Sequence, residues 1–263
     1  RTAMTDIYYD ANGNKVKTID ANHTEKYTYD AVGNREKEEI SYPQEEISNA
    51  YAESRTYLYY ASSDRLKTDG RFAYVYDNNG NLVQKGNRFA IAGDVVSFTA
   101  TFGDGVEYWE YDYDLRNRLV AVRKSGLAES DLIEIKYTYD PGGLRLMKEK
   151  PGEVKYYAFD LSGNAIYDAV AGSEKEHCYV WSFGKTLARV DDGPGEAVTT
   201  YYLHTDMLGS VVAVTDEHGN KIWEGDYTPF GERIRKDSGN GFDLDGLFTG
   251  KEFDEGSMLQ FRT

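Results

Sequence analysis

Polar and apolar residues alternate along several short segments of the chain. Aromatic or β-branched residues take every second position, and charged or polar residues take the positions between them, in EKYTYD (25–30), RFAYVYD (71–77), VEYWEYDYD (106–114) and IEIKYTYD (133–140). Because successive side chains of a β-strand point to opposite faces of a sheet, this period of two predicts strands with one packed face. No long stretch has the period of an amphipathic helix. The pattern therefore predicts an all-β fold.

One motif recurs between these segments. Residues 9–14 read YDANGN, and the shape Asp-x-x-Gly-Asn returns in YDAVGN (29–34), YDNNGN (76–81), FDLSGN (159–164) and TDEHGN (215–220). In a type I turn, the first Asp accepts a bond from a backbone N–H two residues on, and the Gly takes a left-handed conformation without Cβ strain. YDPGG (139–143) keeps both residues. The predicted turn residues are Asp10, Gly13, Asp30, Gly33, Asp77, Gly80, Asp140, Gly143, Asp160, Gly163, Asp216 and Gly219.

Looser copies extend the repeat. Residues 113–117 place Asn117 in the left-handed position, and residues 60–66 form a degenerate relative. Asp140 and Asp160 are 20 residues apart, which at about 3.3 Å per residue accommodates two strands and a second turn. Each repeat is thus predicted to be one antiparallel hairpin. Since unpaired strand edges accept a further hairpin, the repeats predict a continuous, curling antiparallel sheet. Residues 43–54 fit either a helical turn or an insertion loop.

Composition and charge narrow the classes of function. With 263 residues, 40% of them apolar, the chain can form one large β domain or two ordinary ones. Forty-five acidic residues against 30 basic ones give a net charge of -15, which argues against a nucleic-acid partner. No apolar run reaches the roughly 20 residues of a membrane helix. The chain begins without an initiator Met or an apolar signal region, as expected for a piece of a longer protein.

With these residues laid out, the chain resembles the YD-repeat or Rhs (rearrangement hotspot) family, whose repeats carry a Tyr-Asp pair before the turn. Residues 200–232, TYYLHTDMLGSVVAVTDEHGNKIWEGDYTPFGE, are similar to the core that closes Rhs proteins, and residues 248–261, FTGKEFDEGSMLQF, to the segment that follows it. The resemblance implies YD repeats over residues 1–198 and an Rhs repeat-associated core over 199–263. The residues that carry the core motif are His204, Asp206, Gly209, Pro229, Phe230 and Gly231.

The resemblance also implies a function. In this family a long β-ribbon spirals into a hollow shell that encloses a toxic C-terminal polypeptide. We therefore expect a non-catalytic shell or scaffold, secreted or at the cell surface, that encloses or presents a toxin or another polypeptide, with self-association through strand edges as a further expectation. Family shells are several times longer, which implies part of a spiral or a small one. The quoted motifs include no aspartyl self-cleavage motif and no toxin segment, so neither activity is assigned to residues 1–263.

Candidate chemistry is sparse, and we predict no catalytic residue, cofactor or metal site. His204, Asp206 and Ser210 have the residue types of a triad but no nucleophile elbow around the serine, which favours a structural role at the Gly209 turn. Cys178 is the only cysteine, so no internal disulfide forms, and a buried structural thiol is favoured over a nucleophile. The acidic pairs at 191–192 and 243–245 lack the full calcium-loop spacing.

Aromatic rows support an alternative function. Tyr108 with Trp109, and Tyr156 with Tyr157, have the residue types that stack on sugar rings, which supports an extracellular carbohydrate- or protein-binding module as the alternative. Loss of binding in Trp109→Ala would favour that alternative. Cross-strand aromatic pairs also stabilise sheets by up to about 1 kcal/mol each, which favours a structural role for these rings. A third hypothesis, a self-processing protease, requires a site that the sequence does not display.

Overall fold

The computed structural model describes residues 6–9, 15–19, 24–41, 52–61, 63–173, 176–193, 197–227, 233–237, 242, 244, 252–254 and 259–261. In these ranges the chain forms antiparallel strands joined by turns, with one short 3₁₀ helix at Glu129–Asp131 and no α-helix. The prediction of an all-β antiparallel fold is confirmed. None of the helical segments in the described residues is long and apolar enough to cross a membrane. The chain separates into two compact units, residues 1–110 with 125–131, and residues 111–124 with 132–263.

The first unit holds a five-stranded sheet and a second group of strands. The sheet follows chain order: β1 (Asp6–Tyr9), β2 (Lys15–Ile19), β3 (Thr24–Tyr29), β4 (Arg35–Ser41) and β5 (Ala52–Thr56). The second group is β6 (Leu58–Tyr59), β7 (Leu66–Thr68), β8 (Ala73–Tyr76), β9 (Leu82–Gly86), β10 (Phe89–Ala92), β11 (Val95–Phe98) and the start of β12 (Tyr108–Tyr113). Strand β9 pairs with β8 and with β12, so β10 and β11 form a separate hairpin between them in sequence.

Large rings and paired charges fill the core of the first unit. Trp109 is 1% exposed, and its ring lies 5.7 Å from that of Phe72 in an edge-to-face arrangement. The Lys85 ammonium lies over both rings, at 4.5 Å and 5.0 Å from their centroids, and burial lowers its pKa. At the five-stranded sheet, the hydroxyl of Tyr57, which follows β5, donates to the buried carboxylate of Glu38 in β4 at 2.6 Å. Charged groups are therefore buried against aromatic faces rather than left alone.

The second unit is a meander in which consecutive strands are neighbours. After the end of β12 come β13 (Leu119–Lys124), β14 (Ile133–Tyr139), β15 (Arg145–Lys150), β16 (Glu153–Phe159), β17 (Ala165–Val170), β18 (Glu176–Ser182), β19 (Lys185–Asp192), β20 (Thr199–Thr205), β21 (Val211–Thr215), β22 (Lys221–Tyr227) and β23 (Arg233–Asp237). A two-stranded hairpin, β24 (Glu252–Asp254) with β25 (Leu259–Phe261), follows.

An apolar cluster lies at the end of this meander. Trp223, Val214 and Val211 are nearly inaccessible and pack with Leu203. Phe242 and Leu244 join the same cluster. Burying such side chains contributes roughly 1.5–3 kcal/mol each, so this cluster stabilises β20 to β22.

Two sequence predictions fall partly outside these observations. Residues 43–51 of the ambiguous segment lie outside the described residues, and its last residues, 52–54, belong to strand β5 (Ala52–Thr56). The division between residues 198 and 199 rests on sequence motifs rather than on compactness, so the two-domain description stays a prediction.

Candidate functional site: the repeat turns and their contacts

The Asp-x-x-Gly turns share one hydrogen-bond pattern. At the turn that begins at Asp30, the Gly33 N–H donates to the Asp30 carbonyl at 3.2 Å, and the Asp30 N–H donates to the Asn34 carbonyl at 2.8 Å. The Asp30 carboxylate accepts the N–H groups of Val32 and Asn34 and the Asn34 side-chain amide. One carboxylate therefore satisfies three donors that the turn leaves without strand partners.

The same pattern returns in the later turns. The bonded Asn side chain is the largest cause that holds the pKa of Asp77, Asp160 and Asp216 below the usual range. The residue three positions after each Asp has a left-handed backbone, which L-residues with a Cβ rarely adopt. The φ angles are 95° at Gly33, 91° at Gly80, 99° at Gly143, 83° at Gly163, 81° at Gly219 and 58° at Asn117. Asp10 and Gly13, the first predicted turn, lie outside the described residues.

Aromatic residues in front of the turns bond the hairpins to each other. Four aromatic side chains near the ends of their strands donate to the carbonyl of the residue five positions after the opening residue of an earlier turn. These bonds run from Tyr59 to Arg35 (2.9 Å), Tyr139 to Leu119 (2.7 Å), Trp181 to Ala165 (2.7 Å) and Tyr227 to Val211 (3.0 Å). The position before the turn thus favours an aromatic residue with a donor, since its ring packs while its polar tip bonds backbone. The repeat in the sequence marks the residue, but its partner appears only in the structure.

Cations make a second set of bonds between neighbouring turns. The Arg118 guanidinium donates to the carbonyl of Asp140 at 2.9 Å, and its Nε donates to the Asp114 carboxylate of its own turn at 2.7 Å. Arg65 donates in the same way to the Asp77 carbonyl at 3.2 Å, and the Lys185 ammonium to the carbonyl of Asp206 at 2.8 Å. Each such cation satisfies a carbonyl lone pair of the next turn.

A buried polar network crosses strands β16 to β18. The Asp168 carboxylate is 3% exposed and accepts bonds from His177 Nδ1 at 2.9 Å and from the Tyr179 hydroxyl at 2.6 Å. The Lys155 ammonium lies 3.2 Å from it. Burial alone would raise the pKa of Asp168, but the bond from His177 and the charge of Lys155 hold this pKa below its usual range. The network is therefore a paired charge cluster that joins three strands.

The next strand extends this network. Arg189 is 6% exposed and donates to both carboxylate oxygens of Asp191, at 2.6 Å and 2.8 Å. Its guanidinium lies over the Phe242 ring at 4.1 Å and the Tyr201 ring at 5.5 Å. His177 Nε2 lies 4.0 Å from an Asp191 oxygen. The polar groups of this network are paired with one another. Among the described residues, no group of three or more acidic, His or Cys side chains is arranged to hold a metal.

The triad candidates of the sequence do not meet. His204 Nε2 lies 3.0 Å from the Thr215 hydroxyl. Asp206 lies beyond the end of β20, where its carboxylate accepts the N–H groups of Leu208 and Ser210, and Gly209 has a φ of 90°. Asp206 therefore opens one more Asp-x-x-Gly turn, as expected, whereas the imidazole of His204 contacts the Thr215 side chain rather than this turn. The pairing of β20 with β21 has a register shift between His204 and Thr205. Pro229, Phe230 and Gly231 lie outside the described residues.

The structure corrects one further expectation and places the other candidate groups. Cys178 is exposed rather than buried, because in β18 the packed face carries His177 and Tyr179 and Cys178 falls on the opposite face. Trp109 and Tyr108 are 1% and 7% exposed, so these rings are not available to stack on a sugar, which fits the structural role that the sequence favoured for them. Of the other pair, Tyr156 is 47% exposed. Asp191 and Asp192 end strand β19 rather than forming a calcium loop, and residues 243 and 245 lie outside the described part.

Comparisons with known proteins agree with this architecture. The chain is 24% identical over 239 residues to a tRNA3(Ser)-specific nuclease WapA of Bacillus spizizenii, which covers 90% of this chain and 9% of that protein. It is 25% identical to the double-stranded DNA deaminase toxin A of Burkholderia cenocepacia, over 79% of this chain and 14% of that protein. The chain thus spans about a tenth of the length of these curated relatives.

Solved structures share the fold. The crystal structure of TcdB2-TccC3-Cdc42 superposes on 99% of this chain with a TM-score of 0.57 at 16% identity, and on 13% of that chain. The TcdB2-TccC3 structure matches with a TM-score of 0.52 at 15% identity, again over 99% of this chain and 15% of that chain. The family model described as Teneurin YD-shell matches residues 2–255. Since this match spans nearly the whole sequence, the chain belongs to the Teneurin YD-shell family, and the predicted YD-repeat membership is confirmed.

Proposed function

We propose that this chain is a wall segment of a protein shell that encloses or presents a toxic polypeptide, and that the segment itself is not an enzyme. The observation that carries the proposal is the set of bonds between neighbouring hairpins. An aromatic donor before one turn and a cation after another each bond the backbone of a neighbouring repeat. Such pairwise contacts let a sheet grow by adding identical units, as repeat proteins do.

The relatives support an association with a toxin. Two of them are named as a nuclease and a deaminase toxin, and this chain matches only about a tenth of each. If the toxic activity of such proteins resides outside the matched part, the matched part can serve as the shell. We infer that the partner is a polypeptide, from the same parent chain or from another, and that the shell acts outside the cell or at its surface. The net charge of -15 disfavours a nucleic-acid partner.

A direct assay tests the non-catalytic assignment. The purified chain is incubated with tRNA and with double-stranded DNA, and both are analysed for strand cleavage and for deaminated bases. The intact mass of the chain is followed in parallel. We expect unchanged nucleic acids and an unchanged mass, because His177, Asp168 and Ser210 are held by structural bonds or fully buried. Cleavage, deamination or self-processing would contradict the assignment.

The wall itself is tested by its shape. Electron microscopy of the purified chain, together with its mass in solution, is expected to show a curved or closed wall of antiparallel sheet around empty volume. Association of several copies through unpaired strand edges would also fit, provided that the assembly is hollow. A compact solid particle, or a fibre of stacked copies, would contradict a shell.

The alternative function, an extracellular binding module, loses its main candidate ring because Trp109 is buried. Any binding role therefore requires another site, with exposed groups that are not used in the contacts between hairpins.

A further inference from the structure

Exposed apolar side chains lie at the turns of one edge of the second unit. Alternate turns of an antiparallel meander lie at the same edge, so the turns after β16, β18 and β20 are neighbours. The Trp181 indole donates to the Ala165 carbonyl, and the Lys185 ammonium donates to the Asp206 carbonyl, which joins each of these turns to the next. The residues at the tips of these turns, which we call the apolar tips, are Leu161 (109% exposed), Phe183 (101%), Met207 (94%) and Leu208 (72%).

The opposite edge of the same unit has no such row. It is formed by the turns after β15, β17, β19 and β21, where Pro151, Ser173 and Glu217 are exposed. Among the described residues of these four turns, Val198, at 55%, is the single large apolar side chain that is exposed. Isolated apolar residues are ordinary on a protein surface, whereas several neighbouring ones mark an interaction site. The difference between the edges therefore points to an interaction site at the apolar tips.

Phe183 occupies its tip against its backbone preference. Ser182 pairs with Lys185, so Phe183 and Gly184 form a two-residue hairpin turn, and their φ angles are 50° and 73°. A turn with two positive φ angles favours Asn-Gly, and a bulky residue in it is strained. In the described part of the chain, Asn117 is the one other non-glycine residue with a positive φ. Because a fully exposed ring adds no packing energy to the fold, this strain indicates a function for the ring outside the chain.

The charges around the apolar tips are few and already hydrogen-bonded. Segments 160–164, 182–185 and 206–210 contain two carboxylates and one ammonium, whereas the whole chain has a net charge of -15. The Asp160 carboxylate accepts two N–H groups of its own turn, and so does that of Asp206. The Lys185 ammonium bonds the Asp206 carbonyl. Since these groups have partners within the edge, moving the edge into less polar surroundings costs less than it would for charges that only water solvates.

The shape of the edge favours a lipid surface over a protein. Neighbouring strands are about 4.8 Å apart, so successive turns at one edge are separated by roughly 10 Å. A protein partner would need a matching pocket for each tip. The boundary between lipid headgroups and acyl chains accepts protruding aromatic and aliphatic side chains without such pockets. A second copy of the chain and an anionic membrane are both disfavoured, because each would meet the net charge of -15 with negative charge of its own.

We propose that the apolar tips insert into the headgroup region of a zwitterionic lipid bilayer and so bind the second unit to a membrane surface. Phe183 is the deepest anchor, since its ring is the largest of the four apolar side chains. Leu161, Met207 and Leu208 enter beside it. The binding is peripheral, since it uses side chains at turns and needs no segment that crosses the membrane.

Cosedimentation of the purified chain with vesicles tests the proposal. The probes are vesicles of phosphatidylcholine alone and vesicles that also contain phosphatidylserine. We expect binding to phosphatidylcholine vesicles and weaker binding when phosphatidylserine is present. Absence of binding at roughly 1 mM lipid would overturn the proposal. Tighter binding to the vesicles with phosphatidylserine would contradict the argument from charge.

Variants assign the site. Phe183→Asn should weaken vesicle binding about tenfold or more, because it removes the burial of a large ring. It should not lower the melting temperature, because Asn is favoured at this position of the turn. Combined Met207→Ser and Leu208→Ser should weaken binding similarly, whereas Val198→Asn, at the opposite edge, is the matched control and should leave it unchanged. Full binding by both tip variants would contradict the proposal.

A fluorescent residue separates insertion from adsorption. In Phe183→Trp the new indole lies at the exposed tip, while the native Trp109 and Trp223 are each 1% exposed. We expect its emission to move to shorter wavelength when phosphatidylcholine vesicles are added, with the parent chain as the background. Binding without this shift would contradict insertion. Self-association that Phe183→Asn abolishes, in a chain that binds no vesicles, would identify the tips as a protein interface and overturn the proposal. None of these results depends on whether the particle is hollow.

Discussion

The left-handed position of the repeat turn can be tested by substitution at Gly219. Its φ is 81°, and a Cβ added there would meet no atom within 4 Å. Gly219→Val therefore perturbs the backbone conformation without a steric clash against other residues. Glu217→Val places the same side chain in the same exposed turn and serves as the matched control.

The magnitude follows from the backbone strain. A left-handed conformation costs an L-residue roughly 1–2 kcal/mol, and β-branched residues are the least tolerant. We expect Gly219→Val to lower the free energy of unfolding by about 2 kcal/mol, which corresponds to a melting temperature lower by about 4–8 °C in a domain of this size. Gly219→Ala should lose about half as much. Gly219→Asn should be nearly neutral, since Asn117 occupies the same position in another turn with a φ of 58°.

The assay is thermal and urea unfolding, followed by far-ultraviolet circular dichroism, for the four variants and the parent chain. The expected order of stability is parent and Gly219→Asn first, then Gly219→Ala, and Gly219→Val last. Glu217→Val should stay within about 0.5 kcal/mol of the parent. If Gly219→Val and Glu217→Val were equally stable, the left-handed turn would not limit stability, and the account of the repeat turn would be refuted.

Three further predictions concern the contacts of the turns and the buried network. Tyr139→Phe removes the bond to the neighbouring hairpin at 2.7 Å and should cost about 1 kcal/mol in urea unfolding, whereas Tyr156→Phe, at an exposed ring, should change nothing. The pKa of Asp168 is lower in the folded chain than its value of 3.8 in the unfolded chain, so its stabilising effect is complete above pH 3.8 and is lost as pH falls through the folded pKa. Asp168→Asn should therefore destabilise the chain at pH 7 and weaken the loss of stability at acidic pH. An unchanged loss of stability at acidic pH would contradict this. Gly80→Val should combine backbone strain with displacement of Arg65, whose Nη2 would lie 3.0 Å from the new Cβ, and so lower the melting temperature. An unchanged melting temperature would contradict the assignment of the turn.

Local features of the fold are predictable because their causes are local. The alternation over 133–140 matches strand Ile133–Tyr139, and strands Arg35–Ser41 and Ala165–Val170 begin directly after the Asn of an Asp-x-x-Gly-Asn turn. Period-two alternation and the tolerance of Gly for positive φ act within a few residues. They can therefore be recognised in the sequence without knowledge of distant contacts. The unusual Asn117 was predicted to be left-handed on the same grounds and has a φ of 58°.

Burial was less predictable, because alternation shows that two faces differ but not which of them is covered. Cys178 was expected to be buried and is exposed, since the packed face of its strand is the one that carries His177 and Tyr179. Trp109 was a candidate for stacking on a sugar and is buried against Phe72 and Lys85. The choice of face depends on which strands and loops come to lie on it, which is a property of the whole unit.

The sequence by itself determined the strands, the turns and the membership of a repeat family, because each rests on short-range backbone preferences repeated along the chain. Only the tertiary structure decided which distant residues bond each other. The aromatic residue near the end of a strand bonds a carbonyl 16–24 residues away, and β9 pairs with β12 although residues 87–107, which include the β10–β11 hairpin, lie between them in sequence. Such pairings depend on the free energy of packing between segments that are distant in sequence, and the sequence of a single repeat does not determine that free energy.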